Sequence, residues 1–250
     1  MILLSTSYLP PIEYLAAIAT QYSFRPGSSD TEAARVSIEA CEHYQKQSWR
    51  NRCRILAGDG PQDLNIPIVH DDFGKPISQM RIDWTTDWLT RHKRAIVSAY
   101  GTSPYFEYYR DELFEIMDAR PYLLLDFNTS ILKFLLRKTG IKAETEYTLD
   151  FCRPGSFGEE SCSGHNPSLD LRDAIHPKRP NTILSDLGLD KPYWQVFSDR
   201  FGFVKGLSVI DLLFNEGPDS ILWLKGMTKK PFVHPLRDSS TPADLRLRPL

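Results

Sequence analysis

The amino-terminal stretch MILLSTSYLPPIEYLAAIA constrains the fold more than any other part of the chain. Residues 2–4 are continuously apolar, as a strand buried on both faces must be. Pro10 or Pro11 then opens a helix whose Ile12, Leu15, Ala16 and Ala19 form one apolar stripe. A strand turning directly into such a helix begins an α/β unit, so the expected fold is α/β: a single domain with a mixed sheet and flanking helices. The unit places Ser5, Ser7 and Tyr8 at the carboxyl end of a strand beside a helix N-terminus, the usual ligand position in such sheets and one that favours an anion. No glycine fingerprint accompanies it. Further strands are expected at 36–38, which leads into Glu39 and Glu42, at 77–82 and at 147–151.

Residues 44–55, YQKQSWRNRCRI, concentrate positive charge. Lys46, Arg50, Arg52 and Arg54 occur with no carboxylate between Glu42 and Asp59, in a chain whose formal charge is −2. An extended segment puts Arg50, Arg52 and Arg54 on one face, where planar guanidinium groups can grip phosphate or carboxylate oxygens, and Trp49, Asn51 and Cys53 on the other. A helix would instead align Lys46, Arg50 and Arg54. The GDG turn signal at 58–60, followed by alternating Leu64, Ile66 and Ile68, favours a hairpin. A solvated edge strand guarded by its charges accounts for the same pattern.

Helical periodicity runs over 84–100, with His92 on the apolar stripe, where it reads either as a hydrogen-bonded core residue or as a general base. Ser103 and Pro104 look like the cap and first turn of the next helix, with Tyr105, Phe106, Tyr108 and Tyr109 at its start. Asn128 can cap a helix through Ile131, Leu132, Leu135 and Leu136 that ends at Lys138 and Gly140. Residues 153–168 lack periodicity and form a loop or lid. The segment with Arg172, His176 and Lys178 is irregular and stiffened by Pro177, and could aim a basic pair at a ligand. A helix is expected over 193–201, and Ser208 with Asp211 has capping-box spacing before a strongly apolar helix.

The balanced charge argues against a general nucleic-acid coat or membrane-surface binder, so an anion site must be local. No apolar run is long enough to cross a membrane, and residues 1–11 lack a basic start, so the expected location is cytoplasmic, with no membrane segment. Cys41, Cys53, Cys152 and Cys162 form no CxxC pair and are expected to be reduced. One domain is expected over 1–225, with a Pro-containing basic tail over 226–250 that is poorly ordered or draped on the surface.

Seven ordered blocks resemble the WbqC-like protein family: YLPPIEYLA from Tyr8, IEACEHYQKQSWRNRCRI from Ile38, LNIPIVH from Leu64, SAYGTSPYFEYY from Ser98, LLDFN from Leu124, IHPK from Ile175, and GFVKGLSVIDLLFNEGP from Gly202. Gly206 stands where such sequences more often have Asn. The family is named for a member found in O-antigen clusters. The resemblance therefore implies an enzyme of surface-polysaccharide biosynthesis acting on an activated sugar, as an aminoacyl or related group transferase. It supplies no catalytic assignments, and those below come from the residues.

The leading reading is a group transferase whose partner is an anionic small-molecule substrate with a possible aminoacyl donor, and which needs no cofactor and no metal. Tyr8, Tyr44, Lys46, Arg50, Asn51, Arg52, Arg172 and Lys178 are the candidate substrate-binding residues. His176 or His92 would act as general acid or base, and Glu39 or Glu42 would orient an amine or hydroxyl. A non-catalytic protein recognising an anionic ligand, an RNA end or a protein partner is the alternative. A metal hydrolase using His70, His92 and a carboxylate is a third. No Ser-His-Asp pattern, P-loop or HExxH occurs.

Overall fold

β1 (Ile2–Ser5) lies inside a parallel sheet of order β5-β2-β1-β6, with β2 (Ala34–Glu39) and β6 (Leu169–Asp170) as its neighbours and β5 (Ala143–Tyr147) on the far side of β2. The computed structural model describes residues 1–23, 33–154 and 169–226. Ile2, Leu3 and Leu4 are buried, as a parallel strand covered on both faces requires. At the edge, β5 carries Glu144 and Glu146, charges that oppose pairing with another chain.

α1 (Ile12–Ser23) returns from β1 and packs against β2. Every residue from Pro11 to Thr20 is buried, so the helix is enclosed all round rather than along one stripe. Glu13 is enclosed with it. Leu9 holds a positive φ of 40° in the strand-to-helix loop, a conformation uncommon without glycine. That loop is pinned from outside: Ser208 Oγ donates to the Leu9 carbonyl at 2.8 Å, Val209 N–H to Pro10 at 2.9 Å and Tyr8 N–H to Trp49 at 2.9 Å.

β3 (Arg52–Ala57) and β4 (Gly60–Asn65) form the expected hairpin around Gly58 and Asp59, with Ala57 opposite Gly60 and Arg52 opposite Asn65. The α/β domain thus holds both parallel and antiparallel strands, each kind in its own sheet. The strand begins at Arg52, so Arg50 does not share its face. Lys46 to Asn51 are turns and bends, neither strand nor helix.

α2 (Trp88–Tyr100), α3 (Phe106–Asp118) and α4 (Leu124–Lys138) complete the central layer, and one continuous apolar core joins them to α1, the hairpin and the sheet. Residues 77–82 form no strand. Ile77–Gln79 is a 3-10 turn, because Ile77 and Ser78 N–H groups are used by the carbonyls of Glu42 and Ala40. β5 lies four residues before the expected 147–151. α3 begins two residues beyond Pro104. Asn128 is interior to α4 rather than its cap: its Nδ2 donates to the Arg50 carbonyl at 2.8 Å and to Thr6 Oγ1 at 3.1 Å. α4 does end at Lys138, with Gly140 at φ +71°.

After β6 the chain forms the short α5 (Ile183–Asp186) and α6 (Ser198–Phe201), then α7 (Val209–Glu216) and α8 (Ser220–Leu224). The helix expected over 193–201 shrinks to its last four residues, because Tyr193 and Gln195 turn inward to the Asp211 carboxylate at 2.5 and 3.1 Å. Ser208 caps α7, accepting from Ile210 N–H at 3.4 Å. Asp211 does not complete a capping box, since the Ser208 N–H already donates to the Arg54 carbonyl at 2.7 Å. Cys41 and Cys53 are free thiols, whereas Cys152 is disulfide-bonded, which corrects the expectation of reduced cysteines there. Residues 155–168 of the expected loop and 227–250 of the expected tail lie outside the described residues. No described helix is long and apolar enough to cross a membrane.

Gly217 follows α7 with φ +56°, and a Cβ there would stand 2.5 Å from the Tyr105 ring. Gly217→Ala is therefore expected to destabilise the fold by about 1–3 kcal/mol through overpacking alone. Gly140→Ala, with a similar φ of +71° but no atom within 4 Å, serves as the control for backbone strain. Urea unfolding of both variants checks this, and equal midpoints would show that the Tyr105 contact carries no cost.

Candidate functional site

β2 lies on one side of β1 and β6 on the other: the chain runs from β1 through β2 to β5 on one side and then crosses to β6 on the far side, so the strand order reverses at β1. Ligands of open α/β sheets bind at such a point. Here it is packed with charge. Arg50 enters from the turn before β3 and donates to Glu42 through Nε at 2.8 Å and Nη2 at 2.5 Å, to Ser5 Oγ at 2.8 Å and to Gln45 at 3.3 Å. Arg172, just past β6, donates to Asp170 at 2.6 Å and to Glu39 at 2.8 Å. Glu39, at the end of β2, also accepts from Thr148 at 2.6 Å and from the N–H groups of Cys41 and Cys152 at 3.0 Å. Tyr14 donates to the Ser5 carbonyl at 2.9 Å, and burial with the nearby Glu42 carboxylate pushes its phenol well above its usual value. The free space left at this point is about 10 Å³.

Beside it opens a cavity of about 340 Å³ that shares Trp49 and Ile175 with the packed cluster. Glu13 and Arg54 reach it from α1 and β3, His176 and Arg179 from the segment after β6, and Lys205 and Gly206 from the loop before α7. Arg52 and Arg54 both lean on the single carboxylate of Asp63, at 3.4 and 2.7 Å, so this hairpin face keeps a net positive charge. Arg54 also lies 5.8 Å from the Trp49 ring centroid. Burial lowers the His176 pKa, and Arg179, Arg50 and Lys178 lower it further against the opposing pull of Asp173, so the ring is neutral near pH 7. Its Nδ1 accepts the Lys178 backbone N–H at 3.2 Å, which leaves the proton on Nε2.

The folded chain thus brings Arg50, Arg172, Glu39 and Glu42 into one buried cluster and sets His176 at the adjoining cavity, although these residues span much of the sequence. The other candidates stand elsewhere. Tyr8 and His92 are core partners, joined at 3.0 Å between the phenol and Nδ1, and burial pushes His92 down to about 4. Tyr44 stacks on Phe73 and Lys46 lies 4.2 Å from the same ring centroid. Asn51 secures the hairpin through the Ile66 carbonyl at 2.7 Å, and Arg52 bonds Asn65 across it at 2.7 Å. Lys178 donates to Gln47 and does not line the cavity. Among the described residues no group of three or more His, Cys, Asp or Glu could hold a metal; His70 is exposed beside Phe73 while His92 is buried against Trp88.

Glu13, Trp49, Arg179 and Lys205 were not among the sequence candidates. Glu13 carried a signal, being the only charged residue in the apolar run from Leu9 to Ala19. The remaining three carry none that distinguishes them from ordinary surface or core residues.

These features define a single α/β domain with a charged cluster and an open cavity at the carboxyl ends of its parallel strands. The sequence model of the WbqC-like protein family matches residues 6–222, most of the chain and all the cavity-lining residues named above, and the chain belongs to that family. It is similar to a Mycobacterium tuberculosis (strain ATCC 25618 / H37Rv) protein named "Uncharacterized protein Rv1507c", with 26% identity over 198 residues, covering 73% of this chain and 84% of that protein. No solved structure matches the chain.

Proposed function

We propose that this protein is a group transferase acting on a nucleotide-activated sugar in bacterial surface-glycan biosynthesis, with the cavity beside the strand ends as its substrate site. The observation that carries the reading is the meeting of His176 with Arg54, Arg179 and Lys205 around one 340 Å³ space. That volume is near the lower end of small-molecule sites, which run from roughly 300 to 1,000 Å³. The cations hold phosphate oxygens, and the net positive hairpin face gives Arg54 capacity beyond its bond to Asp63. His176, neutral with its proton on Nε2, gives a hydrogen bond to the departing phosphate oxygen and keeps its proton, while the acceptor forms its new bond to the transferred group, the bond from that group to the phosphate breaks, and the acceptor's proton passes to solvent. The leaving group then carries off the electron pair with its charge met by the cations. Arg50 and Arg172, already paired, hold the strand ends in place instead of gripping substrate.

Calorimetric titration with a nucleotide sugar tests this. Arg54→Ala is expected to weaken binding by at least about tenfold, the scale of one charge-assisted contact. Arg110→Ala, at an arginine paired with Glu107 and Asp111 that lines no part of the cavity, is expected to bind within about threefold of the native protein. Equal affinity in the native protein and Arg54→Ala would remove the cationic face from the site. A pulldown partner without small-molecule binding would favour the non-catalytic alternative.

A further inference from the structure

The cavity holds one charged group that the fold leaves without a counterpart. Glu13 is 9% exposed, lines the cavity from the first turn of α1, and its Oε2 has no hydrogen-bond partner among the described residues. Nor does any described Lys, Arg or His pair with it. This contrasts with every other buried carboxylate nearby: Glu39, Glu42 and Asp211 each accept from two or more groups. Burying a carboxylate without a partner is costly, and such a group persists where a ligand completes it. Burial accordingly raises its pKa, offset only in part by its own backbone N–H.

The remaining cavity charges define what completes it. Lys205 is paired with Asp190 and Arg179 with Asp173, whereas Arg54 and Arg52 share one carboxylate. The free charges are thus an excess cation on the hairpin wall and an anion on the helix wall, with the apolar surfaces of Trp49, Ile175 and Leu184 also lining the space. A complementary ligand is dipolar: anionic toward Arg54, cationic toward Glu13, with a flat or ring-like middle. A neutral hydroxyl would satisfy one lone pair of Glu13 but leave its charge buried, while an ammonium group supplies both donors and charge. A cavity of 340 Å³ has room for one phosphorylated ring, with any larger leaving portion reaching outside.

We infer that the cavity binds a phosphorylated amino sugar, with Glu13 as the residue that recognises its amino group. This rests on the transferase reading above and narrows the class of sugar. The test compares glucosamine 1-phosphate, glucose 1-phosphate and inorganic phosphate by calorimetry on the full chain, with Glu13→Gln and Gly206→Asn as variants. Glu13→Gln keeps shape and hydrogen-bonding capacity but removes the charge. Gly206→Asn narrows the cavity from the loop whose Leu207 carbonyl accepts from Ile12: the backbone at Gly206 has φ +71°, which Asn tolerates, and a Cβ meets nothing within 4 Å.

The native protein is expected to prefer glucosamine 1-phosphate over glucose 1-phosphate by about tenfold, the scale of one charged hydrogen bond. Glu13→Gln is expected to bring the two within about twofold while keeping the affinity for glucose 1-phosphate, and with it evidence of an intact fold. Gly206→Asn is expected to weaken both sugar phosphates with an unchanged melting temperature. Equal binding of the two sugars by the native protein, or a preference that survives Glu13→Gln, would overturn the amine assignment. In that case Arg54-dependent binding of phosphate would leave the transferase reading standing. Unaltered binding by Gly206→Asn would place the ligand outside this cavity and overturn the inference, and no binding by any of the three ligands would overturn both.

Discussion

Arg50→Ala is expected to lower the unfolding free energy by about 3–5 kcal/mol, the cost of breaking a buried ion pair from one side. Arg50 and Glu42 side chains are 3% and 7% exposed, and the pair is bidentate, at 2.8 and 2.5 Å. Removing the guanidinium leaves the Glu42 carboxylate in the interior without either bond and also releases Ser5. The measurement is the urea midpoint with its slope unchanged. Joint replacement, Arg50→Met with Glu42→Leu, is expected to recover most of the loss, because an apolar pair of similar volume carries no buried charge. A single variant as stable as the native protein would show that the pair contributes nothing to holding the strand ends.

The second large effect is a dependence on pH centred on Asp211. Burial raises this carboxyl from 3.8 to about 6, against the lowering contributed by the hydrogen bonds from Tyr193 and Gln195. The folded protein therefore binds the proton more tightly than the unfolded chain. The stability it contributes is complete below about pH 4 and is lost as pH rises through about 6. A shift of roughly two units corresponds to about 3 kcal/mol. Glu13, also raised by burial, acts in the same direction. Asp72 acts oppositely, its carboxyl held far below the usual range by Arg81 and Lys75, but outside this window, whereas His92, pushed by burial from 6.5 down to about 4, opposes Asp211 within it, because its contribution grows as pH rises. Asp211→Asn keeps the group neutral and leaves the His92 contribution in place, so its unfolding free energy relative to that of the native protein should rise between pH 4.5 and about 8. Parallel pH profiles for the two proteins would show that Asp211 does not titrate in this range.

Local patterns were legible where a segment's own chemistry completes its structure. The apolar run before Pro10, the GDG turn of the hairpin, the Lys138–Gly140 stop and the Ser208 cap all read correctly because each device closes within a few residues, whereas the return strand ends at Asn65, before Ile66 and Ile68. The misread segments are those whose polar groups are used by distant partners. Residues 77–82 alternate like a strand, yet the Ile77 and Ser78 N–H groups serve Glu42 and Ala40, and those of Arg81 and Ile82 serve Asp72 and Tyr122. Tyr193 and Gln195 stand at the start of the expected 193–201 helix but are spent on Asp211. Asn128 looks like a cap and instead fastens α4 to the Arg50 carbonyl and Thr6.

The candidate site shows the same division. Counting charge found the basic stretch, and the resemblance covered most of the segments that line the cavity, but neither could say which arginines were already paired. Arg50 sits beside Glu42 in space as well as in sequence, and Arg172 finds Glu39 across the sheet. What the order of residues determined by itself was the α/β class, the hairpin, the helix ends and the concentration of cations, because propensity, periodicity and turn chemistry act over a few residues. Tertiary structure alone decided that Glu13 would be left without a partner at a cavity shared with His176, since pairing and burial depend on which distant groups come within hydrogen-bond reach.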